Sequence, residues 1–203
     1  MKVVKFILDR VLALVGILLC WPLLLVLAIM VKCSDGGDAF FSQERVGFHG
    51  KIFKIHKFRS MKPNSSGGMI TASGEDRITP LGAILRKYKL DELPQLWSVL
   101  IGDMSFVGPR PRVKGYADRL RGSERDLLSM RPGITGPDSL KYRREEFMLA
   151  GVPDPVAYHD TYFYPDKVRI GLYYVRHYSF LMDIKIIFAT LFDKKIYYNG
   201  EYI

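Results

Sequence analysis

The sequence lacks the common signatures of nucleotide and hydrolase chemistry. It has no G-x-G-x-x-G and no G-x-x-x-x-G-K-[ST], which excludes the dinucleotide fingerprint and the P-loop. No G-x-S-x-G elbow is present, and the four histidines, His49, His56, His159 and His177, do not stand at zinc-ligand spacing. Cysteine is scarce. Cys20 lies inside an apolar run and Cys33 just past it, which argues against a disulfide framework and for a reducing compartment. Internal repeats are missing too. Acid is in deficit, with 21 Asp and Glu against 30 Lys and Arg, and the net charge of +9 favours an anionic partner. At 203 residues, one domain with an appendage is expected.

What is present begins with that apolar run. Residues 11–31 are 21 positions without a charge, about the length that spans a bilayer as a helix. A signal peptide fits poorly, because the run is too long and no A-x-A-like site follows it. Leu18 and Leu19 stand where a lipidated Cys20 would need small residues. Pro22, mid-run, removes a helical hydrogen bond and is expected to kink or break the helix. Lys2, Lys5 and Arg10 precede the run, and Lys32, Arg45 and Lys51 follow it, so flanking charge names no inside face. A spanning helix and a broken, re-entrant one both stay open on these grounds.

After the run, "SDGGD" (34–38) reads as a turn. "AFFSQERV" and "KIFKIHKF" flank "GFHG" and predict a β-hairpin. Alternation places Lys57 and Arg59 on one face. Residues 45–62 hold six Lys and Arg and no acid, suited to a solvated strand face or to a strip resting on anionic lipid headgroups. "PNSSGG" (63–68) reads as a flexible loop. Thr79-Pro80 opens a helix with Leu81, Ile84, Leu85 and Tyr88 on its apolar side and Arg86 elsewhere. A second helix follows, ended by Gly102, then a short strand at "MSFVG" and a rigid loop at "MRPGITGP" (130–137). Residues 172–192 are aromatic and apolar but interrupted by charge, which suits core packing or an interfacial position rather than a second span.

The chemistry-bearing stretch is "LDELPQLWSVLIGDMSFVGPRPR" (90–112). Asp91 and Glu92 open it, and alone they read as a helix N-cap and a first-turn acid. The surroundings change that reading. Arg110 and Arg112 are held by prolines, and Arg131-Pro132 repeats the device. Rigid guanidinium groups are good phosphate forks. An acid pair ringed by them suggests phosphate chemistry. The carboxylates of Asp91 and Glu92 would bind Mg²⁺, or one would attack phosphorus.

At these residues the chain resembles the monotopic phosphoglycosyl transferases, the small bacterial sugar transferases that begin lipid-linked glycan assembly. The resemblance rests on "KIFKIHKFRSM" (51–61), "LDELPQLW" (90–97), "GDMSFVGPRP" (102–111), "RPGITG" (131–136) and "YYVRHYSFLMDIKI" (173–186), and covers nearly the whole chain. It implies transfer of a phosphosugar from a UDP-sugar to polyprenol (undecaprenyl) phosphate, with release of UMP and a covalent aspartyl intermediate. Asp91 falls on the family's nucleophile, and Glu92 on the residue that supports Mg²⁺. Lys57, Arg86 and Arg110 fall on its functional cations. Arg143 stands where the family has a further arginine, with Arg144 adjacent. Three departures stand out: Trp21-Pro22 for the usual Ser-Pro, "PDSLKYRR" for W-A-Q-V-N-G-R, and Gly171 for an acid.

The expected fold is α+β and monotopic. Residues 1–33 form a re-entrant, Pro-broken helix, and 34–203 form a cytoplasmic, membrane-associated catalytic domain with a small β-hairpin and interfacial amphipathic helices. The chain reads as the minimal catalytic form. The expected site is Asp91 and Glu92 with Mg²⁺, and Lys57, Arg59, Arg86, Arg110, Arg112, Arg131 and Arg143 for substrate. Expected partners are a UDP-sugar, polyprenol phosphate and inner-membrane lipid at the cytoplasmic face. A homodimer is left open, and nucleic acid is not expected, since an apolar run and an acid dyad have no use there. The competing reading is a non-catalytic membrane-surface adaptor for anionic lipid.

Overall fold

The computed structural model describes residues 2–62 and 76–203, and the loop expected at 63–68 lies outside the described residues. Helix α1 spans Lys2–Asp35 and runs through Pro22 without interruption. The helix is therefore continuous at Pro22, where a break was expected. The missing N–H of Pro22 removes a single hydrogen bond, while packing holds the helix on either side of it. Lys5, Asp9 and Ala13 are buried before the proline, and Leu27 and Val31 after it. Spacing of four puts each group on one stripe. The rest of the helix is apolar and uncovered, with Leu18 63% and Leu19 75% exposed. Among the described residues this is the one helix long and apolar enough to cross a membrane, and it suits membrane anchoring.

The predicted hairpin is present. Strands β1 (Phe40–Val46) and β2 (Ile52–Phe58) pair antiparallel, with Phe41 opposite Lys57 and Gln43 opposite Ile55. Side chains alternate between faces. One face carries Phe53 and Ile55 into a core with Ala13 of α1, Val99 and Met104. Helix α2 (Pro80–Lys87) starts as expected, because Thr79 Oγ1 accepts from Gly82 N–H at 2.9 Å and Pro80 needs no partner. A Cβ on Gly82 would collide with the Ser60 carbonyl, so glycine allows α2 to sit directly on the end of β2.

A 3₁₀ turn at Leu90–Glu92 leads into α3 (Gln95–Ile101), which packs along α1 and ends in the left-handed Gly102 (φ 97°). Strand β3 (Ser105–Val107) precedes α4 (Lys114–Ala117) and a 3₁₀ stretch at Gly122–Ser129. β3 pairs in parallel with β4 (Gly133–Thr135), so the loop expected at "RPGITG" contains a strand. The pairing is close: a Cβ on Gly108 or Gly133 would strike the backbone of the other segment.

Helices α5 (Pro137–Lys141), α6 (Glu145–Leu149) and α7 (Pro155–Tyr158) follow, and a π-helical turn at His159–Phe163 joins α7 to α8 (Tyr164–Arg176). Helix α9 (Phe180–Leu191) buries Asp183, Ile186 and Ala189 and leaves Leu181, Phe188 and Leu191 exposed. A small hairpin, β5 (Tyr197–Tyr198) with β6 (Glu201–Tyr202), ends the described chain. Val107, Ile170, Tyr174 and Ile186 centre the main core between β3, α8 and α9.

Candidate active site

The 3₁₀ turn places Asp91 and Glu92 on the wall of a cavity of ≈ 600 Å³. Left-handed Lys89 (φ 56°) makes the sharp exit from α2 that permits this turn. Both carboxylates are buried, 6% and 8% exposed. The N-cap reading of Asp91 is corrected here. A cap accepts from N–H groups two or three residues on. Leu93 N–H is given to the Leu90 carbonyl at 3.2 Å, and Pro94 has none to give. The buried Oδ1 of Asp91 has no hydrogen-bond partner among the described residues.

Glu92 is held differently. Its Oε1 accepts from Lys57 Nζ at 2.6 Å and from Arg110 Nη2 at 3.2 Å. β2 brings Lys57 to the dyad. Arg110 comes from the segment after β3, where its own N–H donates to Asp138 Oδ2 at 3.1 Å. Arg112 lines the cavity with its guanidinium 5.8 Å from the Tyr164 ring centre. Arg86 lines it too, forked on Glu146 with a further bond to Ser60 Oγ at 3.3 Å. Arg59 reaches the cavity, but its fork is spent on Asp35 at the end of α1 and on the Asp38 carbonyl.

Two expected phosphate ligands are placed elsewhere. Arg131 donates to the Gly102 carbonyl at 2.8 Å and stacks over Phe6 and Phe48. Parallel pairing of β4 turns it toward the root of α1, where it props the helix. Arg143 bonds Asp193 and the Leu140 and Lys194 carbonyls, because α5 points it at the chain after α9. Arg144 shares Asp193.

The cavity also holds residues the motifs did not single out. Arg45 follows from the hairpin register, since it lies on the same face as Lys57. Burial lowers its guanidinium to about 10. Asp138, Glu145, Glu146, His159 and Lys167 come from α5 to α8, where nothing in the spacing marks them. Lys167 is bound by Glu145 at 2.6 Å, and His159 faces Asp160 at 3.2 Å. Among the described residues ten Lys and Arg line the cavity against five carboxylates, so it is suited to a polyanion.

Charge separates the dyad. Burial pushes Asp91 above the usual carboxylate range, and Lys57 reverses only part of that. Burial also pushes Glu92 up, but Lys57 and Arg110 outweigh it and hold the group well below that range. Glu92 in turn raises Arg110. Burial lowers Lys57, with Glu92 opposing. The signs differ for stability. Glu92 stabilises the fold above the ordinary glutamate pKa, and this is lost as pH falls. Ionised Asp91 opposes folding, and the penalty vanishes as pH falls through its raised pKa. Asp91→Asn is therefore expected to melt higher than wild type at pH 8, by about 2–4 °C for each 1 kcal/mol. Thermal melts should show the gap narrowing in acid; a lower melting point at pH 8 would mean Asp91 is held by contacts to its charge.

The acid cluster is sparse for a metal. Among the described residues no group of three or more His, Cys, Asp or Glu is placed to hold a metal ion by itself. Mg²⁺ commonly takes one or two carboxylates and completes its shell with substrate phosphates and water. Asp91 fits that role through its unpartnered Oδ1. Glu92 Oε1 is already committed to two cations, so ligation rests on Asp91 more than the paired assignment implied.

Residues 1–194 match the model of a family described as bacterial sugar transferase. Galactosyl transferase CpsE of Streptococcus agalactiae is 34% identical over 93% of this chain and 41% of its own length. UDP-glucose:undecaprenyl-phosphate glucose-1-phosphate transferase of Escherichia coli is 37% identical over 91% of this chain and 38% of its own. Exopolysaccharide production protein PSS of Rhizobium leguminosarum is 36% identical, with 93% and 94% covered. The chain thus spans about two fifths of the first two relatives and nearly all of the third.

Proposed function

Because the chain belongs to the bacterial sugar transferase family, we propose that it transfers a phosphosugar from a UDP-sugar to polyprenol phosphate on the cytoplasmic face of a bacterial inner membrane. The carrying observation is the unpartnered, buried Oδ1 of Asp91 inside a basic cavity. Relatives named for UDP-sugar and undecaprenyl phosphate support the substrates. The adaptor reading is disfavoured, because the basic side chains line a concave site around an acid pair rather than an open face.

Asp91 attacks the β-phosphorus of the UDP-sugar. The bond from that phosphorus to the bridging oxygen breaks, and UMP leaves with the electron pair. Asp91 then carries the phosphosugar. An oxygen of polyprenol phosphate attacks the same phosphorus, releases the aspartate and forms polyprenyl diphosphate-sugar. Arg110 and Lys57 fix Glu92 beside the nucleophile, and with Arg112 they neutralise charge growing on the phosphoryl oxygens. Glu92 keeps these two cations in place and ionised. Arg86 exchanges Glu146 for phosphate when donor enters. Bound Mg²⁺ would neutralise phosphate charge beside Asp91.

The test is UMP release from a panel of UDP-sugars with polyprenol phosphate and Mg²⁺. No release from any donor, in folded protein reconstituted in lipid, would remove the proposal. Chelation by EDTA is expected to lower turnover at least about a hundredfold, restored by Mg²⁺. Undiminished turnover in EDTA would leave Asp91 without a metal role.

A further inference from the structure

The cavity is not uniformly polar. Phe41, Phe58 and Met61 line it on the hairpin side, whereas Arg112, His159 and Lys167 line the wall reached from α4 and α8. Phe41 is opposite Lys57 in register, so the two share a face with Cβ atoms about 5 Å apart. Lys57 is itself 2.6 Å from Glu92. Phe41 nevertheless stays 48% exposed, an aromatic ring half in water beside the most charged point of the site. Its neighbour Phe40 is 50% exposed and stacks on Phe58 with ring centres 5.3 Å apart. Phe58 packs with Leu27 and Val31 of α1. Only residues 36–39 separate the end of α1 from β1. Phe40 and Phe58 face that buried stripe of α1, on the other side of the hairpin from Phe41 and Lys57, which leaves Phe41 as the half-exposed aromatic ring at the α1–β1 corner on the dyad's side.

A UDP-sugar has no hydrocarbon segment to place there. The lipid acceptor does, since its phosphate must reach the phosphorus on Asp91 while its chain stays in the bilayer. We propose that Phe41 forms the ramp that receives the first isoprene units of the acceptor, so that lipid enters from the α1–β1 corner and the nucleotide occupies the α4–α8 wall. This rests on the transferase reading and adds to it a specificity-determining residue and a direction of entry. Arg59, locked on Asp35 and the Asp38 carbonyl, holds the corner rigid.

The test compares acceptors sharing the phosphate but differing in chain, a long polyprenyl phosphate in nanodiscs and soluble geranyl phosphate. In Phe41→Asn the ratio of kcat/KM for long over short acceptor is expected to fall about tenfold, equivalent to about 1.4 kcal/mol, and Phe41→Leu should keep it. A merely structural role would lower both acceptors together, and an unchanged ratio overturns the proposal. A binding arm needs no turnover. A polyprenyl phosphate with a diazirine on its first isoprene unit should label the peptide containing Phe40 and Phe41. Label on α4 or α9 instead overturns the ramp, even in protein that releases UMP normally. Labelling of the ramp in protein that releases no UMP would keep lipid binding and sink the transferase reading alone.

Discussion

Asp91→Asn is expected to lose turnover by roughly 10³-fold or more, with the protein still folded and, at pH 8, more stable than wild type. Asparagine preserves shape at the 3₁₀ turn. Among the described residues no hydrogen bond reaches Oδ1, so none is lost there. What disappears is the charge and the nucleophile. The decisive measurement is a single turnover with labelled UDP-sugar and no lipid acceptor. Wild type should release stoichiometric UMP and hold the label on the peptide containing Asp91. The asparagine form should do neither. The rival is a ternary mechanism in which Asp91 serves a metal only and the lipid phosphate attacks directly. It requires no UMP before acceptor arrives, and that result in an active preparation would remove Asp91 as nucleophile. Burial favours the covalent route: a carboxylate raised by desolvation is stabilised by gaining a bond to phosphorus.

What the sequence disclosed was mostly local. The hairpin followed from alternation around "GFHG", and α2 from Thr79-Pro80, since both depend on contacts a few residues apart. The dyad was legible as chemistry, but its backbone was not. Whether Asp91 caps a helix depends on Leu93 N–H being taken and on Pro94 delaying α3, which spacing alone does not fix. Lys57, Arg86, Arg110 and Arg112 line one cavity. Arg131 and Arg143 shared the same rigid, basic surroundings in sequence, yet the parallel β3–β4 pairing and α5 direct them to other partners. The wall from α5 to α8 left no trace because its residues meet only when distant helices pack. The continuity of helix α1 through Pro22 was not legible, because the local penalty of the proline is outweighed by packing along both halves.

The second large effect is expected at the root of that helix. Lys5 Nζ lies 2.6 Å from Asp183 Oδ2, with side chains 9% and 4% exposed, and Tyr174 donates to the other carboxylate oxygen. Removing one member of a buried pair strands the other's charge, at about 3–5 kcal/mol. Lys5→Met should therefore lower the melting point by roughly 10 °C, and Lys5→Met with Asp183→Leu should recover much of it. The pair bears on topology. At about 1.5 Å per residue α1 is roughly 50 Å long, against a hydrocarbon core of about 30 Å. Its first turns pair with Asp183 and its last residue, Asp35, pairs with Arg59 of the same domain. A helix crossing the bilayer would carry Lys5 to the side opposite Asp183, and the two substitutions would then be independent. A double-mutant cycle in lipid vesicles should instead give a coupling of 1 kcal/mol or more, on the order expected for contacting charges. Labelling gives a second readout: Val3→Cys, 70% exposed in wild type, and the native exposed Cys33 should react from the same side of sealed vesicles. Zero coupling together with labelling from opposite sides would establish a spanning helix and end the one-sided anchor.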